Sequence, residues 1–287
     1  MMPELRLATR GSELALTQTQ WVARELRRAH PGLTVTVVTI ESSGDRDRNS
    51  PVAALTEMGA FVRSLQYALV DGRVDAAVHS CKDLPTESPE GVTIAAFPQR
   101  ANPFDVLVGS RLDDLDRGAV VGTGSPRRRS QLAVLRPDLE FVELRGNVDT
   151  RIRKVHDGEV AAAVLAAAGV ERLGRGSDVA QEFTLETMIP APAQGSLAVE
   201  TIAGTDALEL VAAIDDPRVR VVTEVERLLL SETGAGCRSA LAAYAVAGDR
   251  SITMHGFNDD DKGPRRAVVT GASGKAAVAA LIEELRL

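Results

Sequence analysis

DGRVDAAV (71–78) and DGEVAAAV (157–164) are one phrase written twice, and the phrase decides the fold. In each copy a helix stops at the Asp-Gly pair, where glycine admits a left-handed turn, and a short apolar strand begins. Upstream of each copy a strand ends in a hydroxyl-rich turn that opens a helix. The first such stretch is LRLATRGSELALTQTQWVARELRRAH (5–30) and the second AVVGTGSPRRRSQLAVL (119–135). A second strand follows each, LTVTVVTIES (33–42) and LEFVELR (139–145). Each half therefore reads β-turn-α-β and then α-β, the alternation of an α/β sheet. Ser12 suits the N-cap of the first helix. Ser125 suits that of the second, with Pro126 at the first helical position, where its missing N–H costs nothing.

Two proline-bearing stretches punctuate the halves. FPQRANPF (97–104) reads as a hinge from the first lobe to the second, and IPAPAQG (189–195) as a return crossing. The expected first lobe is then 1–98 with 195–215, and the second is 102–190. A third, α+β unit spans 217–287, with a helix over RVRVVTEVERLLLSET, three strands (ALAAYAVAG, SITMHGFN, RRAVVTG) and a closing helix over KAAVAALIEELRL. Segment 42–60, polar and then glycine-bearing, is long for a connector and reads as a lid.

Composition narrows the class. At 287 residues the chain exceeds one ordinary core. Its aromatic share is only 3%, so Ala, Val and Leu must fill the interior. A formal net charge of -7 argues against nucleic acid, which wants a basic face. No apolar run reaches the ~20 residues of a membrane helix, and MMPELRLATRGSELAL lacks the apolar core of a signal peptide, so a cytoplasmic protein is expected. Cys81 and Cys237 make no disulfide framework there. The histidines, His30, His79, His156 and His255, show no metal-ligand spacing, and no metal is expected.

Against the acidic total, residues 122–154 concentrate seven arginines and one lysine. Glycines and hydroxyls among them expose backbone N–H groups beside guanidinium groups, the means by which carboxylates and phosphates are gripped. Arg127, Arg128 and Arg129 crowd a helix start, where the macrodipole is already positive, so a bound anion is the natural relief. Arg145-Gly-Asn-Val-Asp-Thr-Arg151 and Arg10-Gly-Ser12 occupy comparable strand-to-helix positions. HSCKDLP (79–85) closes a strand at its C-terminal edge, where open α/β sheets bind ligands. There Lys82 can pair with an anion, and Asp83, the one acid among these cations, can stabilise positive charge developing on a substrate. Cys237 follows a glycine-bearing loop, TGAG, beside Arg238, which suits a nucleophile or a covalent tether. Cys81, on an apolar strand, reads as core.

Taken together, LATRGSxLAL (7–16), AVHSxKDLP (77–85), VGTGSPRRxxQL (121–132), LRGNVxTR (144–151), LAAAGVxRLG (165–174) and the loop ending at Cys237 resemble the porphobilinogen deaminase (hydroxymethylbilane synthase) family along almost the whole chain. The resemblance implies two periplasmic-binding-protein-like α/β lobes with a cleft between them and a smaller α+β C-terminal domain. It implies a monomeric transferase of tetrapyrrole and heme biosynthesis. Four porphobilinogen molecules are condensed head to tail into linear hydroxymethylbilane, with ammonia released at each addition. A dipyrromethane cofactor is held by a thioether, for which Cys237 is the matching residue. Asp83 matches the family's essential carboxylate. Arg10, Ser12, Lys82, Thr123, Ser125, Arg127, Arg128, Arg145, Arg151 and Arg172 match positions that bind cofactor or substrate carboxylates. Each pyrrole carries an acetate and a propionate, so an arginine-lined cleft suits the growing chain.

Three departures stand out. The lid reads Thr56-Glu57-Met58-Gly59-Ala60 where the family has a Gly-Gly pair and a lysine. Ala235-Gly236-Cys237 replaces Gly-Gly-Cys, and Ala193-Gln194-Gly195 replaces Gly-Gln-Gly. The alternative reading is a non-catalytic two-lobed anion- or solute-binding protein, which would need no tether at Cys237.

Overall fold

A computed structural model describes residues 4–40, 53–236 and 239–287, with 53–60 as helical backbone only. The chain divides into two compact units, residues 1–100 with 196–220, and residues 101–195 with 221–287.

The first unit is built on a five-stranded sheet. Strand β1 (Glu4–Thr9) leads into helix α1 (Glu13–Ala29), followed by β2 (Thr34–Thr39), α2 (Ala53–Val70), β3 (Ala76–Ser80) and β4 (Val92–Ala96). The chain leaves and returns as β10 (Leu197–Ile202). Strand order is β2-β1-β3-β10-β4. Strand β1 runs parallel to β2 and β3, and β10 is inserted antiparallel between β3 and β4. Helix α6 (Asp206–Ala212) closes this unit. Its core joins Leu5, Leu7, Val22, Leu26, Val78, Leu197 and Val199.

The second unit repeats the plan. Its strands are β5 (Asp105–Val108), β6 (Val120–Gly122), β7 (Glu140–Val142), β8 (Ala162–Ala166) and β9 (Val179–Glu182), in the order β7-β6-β8-β5-β9. Again the first strand of the β-turn-α-β phrase, β6, lies parallel to both neighbours, and the strand that follows a crossing, β5, enters antiparallel. Helices α3 (Pro126–Leu135), α4 (Val148–His156) and α5 (Ala167–Arg172) accompany it. The duplicated phrase does what its letters suggest. Helices α2 and α4 end at Asp71-Gly72 and Asp157-Gly158, with φ of +66° and +75° at the two glycines. The Ala-Ala-Val runs that follow are buried throughout, as strands covered on both faces must be.

A third sheet, within the second unit, is an antiparallel meander of β11 (Ala242–Ala247), β12 (Ile252–Asp260) and β13 (Gly263–Gly271). Helices α7 (Pro217–Thr233) and α8 (Gly274–Leu285) cover one face with their own core of Val225, Leu229, Met254, Leu281 and Leu285. The fold is thus two α/β lobes of one strand plan and a smaller α+β module.

The return crossing 189–195 is gripped within the second unit. Gln131 of α3 accepts the Ile189 N–H at 2.8 Å and donates to its C=O at 3.0 Å. On the other side, Ala243 N–H donates to Pro190 C=O at 3.1 Å. The buried Glu226 carboxylate accepts the N–H of Ala193 at 2.6 Å and of Ala245 at 2.9 Å. The C-terminal module is therefore stitched to its lobe through the crossing strand.

Part of the segment read as a lid is helical, because 53–60 form the first turns of α2. Residues 42–52 lie outside the described residues. Among the described residues no helix is long and apolar enough to cross a membrane.

Candidate functional site

In the first unit, the candidate residues gather at the ends of β1 and β3. Ser12 caps α1, its Oγ accepting the Ala15 N–H at 3.3 Å. Just before it, the Arg10 guanidinium lies 3.9 Å from the centre of the Phe61 ring, a cation–π contact that holds the side chain in place. Arg10 Nε is buried and donates to nothing among the described residues. A buried N–H without an acceptor is expensive, so this atom marks a place where an acceptor fits.

Lys82 and Asp83 sit half-buried on the single 3-10 turn Cys81–Asp83 that follows β3. The turn is braced from both sides. Cys81 N–H donates to Ser196 C=O at 3.0 Å, and Gln18 of α1 exchanges hydrogen bonds with Ser80 at 2.9 and 3.2 Å. Asp83 has no hydrogen-bonded or ion-paired partner among the described residues, so its acceptor sites are uncommitted. Cys81 is buried in the core, as its apolar strand implied.

Behind the turn lies a polar knot that the sequence did not announce. Glu200 of β10, fully buried, accepts Gln66 Nε2 on both oxygens at 3.1 Å and the Ser88 hydroxyl at 2.9 Å. His79 Nε2 stands 3.1 Å from the same carboxylate. Burial pushes the Glu200 carboxyl up, but His79, Ser88 and Gln66 outweigh it and hold it below the usual range. The knot ties the stretch before the Asp83 turn to the stretch after it.

In the second unit, Thr123 and Ser125 form the turn between β6 and α3. Ser125 holds the N-cap position, but its hydroxyl makes no capping bond; instead Thr123 Oγ1 accepts the Ser125 N–H at 3.2 Å. Arg127 and Arg128, in the first turn of α3, are 4% and 6% exposed, which excludes a solvated helix face. Their mutual repulsion, expected to await a bound anion, is already half relieved by an internal one. Arg127 Nη1 donates to Asp105 Oδ2 at 2.7 Å and to Ile189 C=O at 2.8 Å. Arg128 Nε and Nη2 donate to Asp105 Oδ1 at 3.0 and 2.7 Å, and its Nη1 to Val164 C=O at 3.0 Å. Asp83 is therefore not the one acid among the cations. Burial pushes the Asp105 carboxyl up, yet the two guanidinium groups outweigh it and hold the group ionised, well below its ordinary range.

Arg145 lies beside Gly146 on the loop after β7, and Arg151 in the first turns of α4. Arg145 is exposed and donates to Glu143 at 2.7 Å, and Arg151 Nε donates to Gly146 C=O at 2.8 Å. Arg172, at the end of α5, is half-buried and donates to Gly195 C=O at 3.1 Å. Burial lowers its pKa to about 10, against the pull of Glu171. Cys237 and Arg238 lie outside the described residues. Among the described residues no group of three or more His, Cys, Asp or Glu could hold a metal ion.

Residues 5–209, spanning both duplicated phrases, match the family model described as porphobilinogen deaminase, dipyromethane cofactor binding domain. The chain belongs to the porphobilinogen deaminase family. It is 44% identical to the porphobilinogen deaminase of Roseiflexus castenholzii over 261 residues, which cover 90% of this chain and 86% of that protein. It is 44% identical over 283 residues to that of Acidothermus cellulolyticus, covering 95% and 85%. Among solved structures, the methionine-binding protein MetQ aligns with 76% of this chain and 92% of its own at 14% identity, with a TM-score of 0.44. The family-model match covers the arginine-rich region and the Asp83 turn and ends before Cys237.

Reading the sequence as a deaminase missed Asp105. The signal was present: NPFDVLV sets a lone acid at the head of a short apolar strand, and a buried acid needs a partner. His79 within AVHSxKDLP and Glu200 within LAVETI carried the same hint.

Proposed function

We propose that this chain is the transferase that condenses four porphobilinogen molecules head to tail, releasing ammonia at each addition, and then releases linear hydroxymethylbilane by hydrolysis. The observation that carries the reading is the buried pair of guanidinium groups on one carboxylate, set inside the stretch that matches the family's cofactor-binding domain. A non-catalytic solute-binding protein on the same scaffold is not favoured, because the family is one of enzymes.

The residues present fit an acidic dipyrromethane. Arg10 holds a buried donor without an acceptor, and Arg127 with Arg128 carries more positive charge than Asp105 cancels. Tethered at Cys237, the cofactor supplies the pyrrole position from which the product is extended. Arg10, Ser12, Lys82, Thr123, Ser125, Arg127, Arg128, Arg145, Arg151 and Arg172 take the acetate and propionate groups. Planar guanidinium forks suit carboxylates because two parallel N–H bonds fix orientation as well as position. Asp83, with its oxygens uncommitted, accepts pyrrole N–H groups and stabilises the positive charge that develops as ammonia departs.

For the chain as a whole, we assign the lobes to 1–98 with 195–215 and to 102–190, and the cofactor-bearing domain to 217–287. A cytoplasmic monomer that engages neither nucleic acid nor membrane completes the reading. Purified protein given porphobilinogen should release four ammonia per linear tetrapyrrole formed. Failure to consume porphobilinogen by protein that carries the cofactor would overturn the proposal.

A further inference from the structure

Asp105 opens strand β5 and is completely buried, yet nothing in the chemistry above employs it. Its carboxylate receives four hydrogen bonds. Arg127 Nη1 reaches Oδ2 at 2.7 Å, Arg128 Nε and Nη2 reach Oδ1 at 3.0 and 2.7 Å, and Gln194 Nε2 reaches Oδ1 at 2.9 Å. Gln194 is itself anchored by donating to Pro103 C=O at 2.7 Å. The guanidinium groups thus hang from one rigid acceptor, fixed on one side by the sheet and on the other by the return crossing.

The charges do not cancel. Two cations meet one anion: among the described residues, the charges that act most on Arg127 are those of Asp105 and Arg128. Protein interiors do not tolerate an isolated surplus charge, so such a cluster calls for a further anion. Without Asp105 the two guanidinium groups would repel and swing apart. With two such acids the cluster would be neutral and would have no claim on a ligand.

We propose that Asp105 is a positioning residue: it locks Arg127 and Arg128 in one arrangement and leaves the cluster a single positive charge, so that it receives one carboxylate of the pyrrole ligand. The inference rests on the reading that these arginines bind ligand carboxylates. Fixed donors lose little freedom when the ligand arrives, which is how a supporting residue raises affinity without touching the ligand.

Asp105→Asn and Gln194→Met holoenzymes test this by steady-state kinetics on porphobilinogen, with rates normalised to the adduct-bearing fraction measured by intact mass. The first removes the charge. The second removes one strut and leaves both ion pairs in place. Loss of a charge-assisted hydrogen bond should raise KM about tenfold or more in Asp105→Asn. Gln194→Met, which takes one uncharged donor from that carboxylate and leaves both ion pairs to fix the guanidinium groups, should raise KM about threefold. In both, kcat per adduct-bearing molecule should stay within about threefold. A residue that only stabilised the fold would lower the melting temperature and the active fraction and leave KM unchanged. Folded Asp105→Asn with wild-type KM overturns the proposal. If that variant does not accumulate as folded protein, wild-type KM in Gln194→Met overturns it. A loss confined to kcat does the same. Arg127→Leu separates the layers: impaired cofactor assembly or raised KM there, beside unchanged Asp105→Asn, sinks this inference alone, whereas unchanged Arg127→Leu sinks the reading beneath it.

Discussion

Ala193 and Gly195 make a matched pair on which the description of the return crossing can be tested. Both adopt left-handed backbone, with φ of +61° and +87°. Alanine occupies the first position, although the motif this segment resembles has glycine there. Three terms decide what Ala193→Gly does. Relief of the left-handed conformation returns about 1–2 kcal/mol. The added freedom of unfolded glycine costs about 0.5–1 kcal/mol, and loss of a buried methyl costs about 0.8 kcal/mol. These nearly cancel, so Ala193→Gly should lie within about 0.5 kcal/mol of wild type. Gly195 is different, because a Cβ there would stand 2.5 Å from Ala101 C=O and 3.1 Å from Pro103 Cα, both backbone. Gly195→Ala adds the conformational cost of about 1–2 kcal/mol to about 1–3 kcal/mol of overpacking, less the entropy regained. The expected loss is about 2–4 kcal/mol, roughly 3–7 °C in melting temperature for a chain of this size. Urea unfolding followed by circular dichroism, with calorimetry beside it, measures both. A loss above about 1.5 kcal/mol in Ala193→Gly, the cost expected of a buried alanine in ordinary helical backbone, would refute the left-handed assignment. A neutral Gly195→Ala would refute the close approach of the two crossings.

Asp83→Asn should still assemble cofactor-bearing protein but turn over about a hundredfold more slowly, the worth of about 3 kcal/mol in charge-assisted hydrogen bonds. Single-turnover measurements check it, and near-normal turnover would remove Asp83 from the chemistry. Stability should decline slightly as pH falls through about 6.5, where the unfolded His255 imidazole gains a proton that burial denies the folded one, and fall more steeply below about pH 4. The carboxyls of Asp105, Asp75 and Glu200 are all held below their ordinary range in the folded chain, so their contribution is complete above the unfolded pKa and is lost as protons are forced on. Urea midpoints across that range test the sign, and a protein that gains stability on acidification would contradict it.

The fold was legible where local chemistry and long-range pattern agree. Asp-Gly after a helix, an Ala-Ala-Val strand after that, and Ser12 or Ser125 before a helix each fix a local conformation, and their recurrence in the same order sets two sheets with the same strand order. Strand β10, which follows the second proline-bearing crossing, lies between β3 and β4 of the first sheet. What stayed hidden were pairings between residues far apart in the chain. Asp105 meets Arg127, Arg128 and Gln194, and Glu200 meets Gln66, Ser88 and His79. No periodicity encodes such partners. Only the presence of an acid in an otherwise apolar strand hints that one exists. The burial of Arg127 and Arg128 was hidden for the same reason, since nothing local to an arginine reveals a buried counter-charge far away in the chain.

On the proposed function, arginines from this chain hold an acidic pyrrole ligand tethered at Cys237. Intact-mass analysis of protein purified from a host that makes porphobilinogen tests it most directly. The expected masses are the polypeptide plus two pyrrole units for the wild-type chain and the bare polypeptide for Cys237→Ser. Bare mass for the wild-type chain, or an adduct that survives Cys237→Ser, would contradict it.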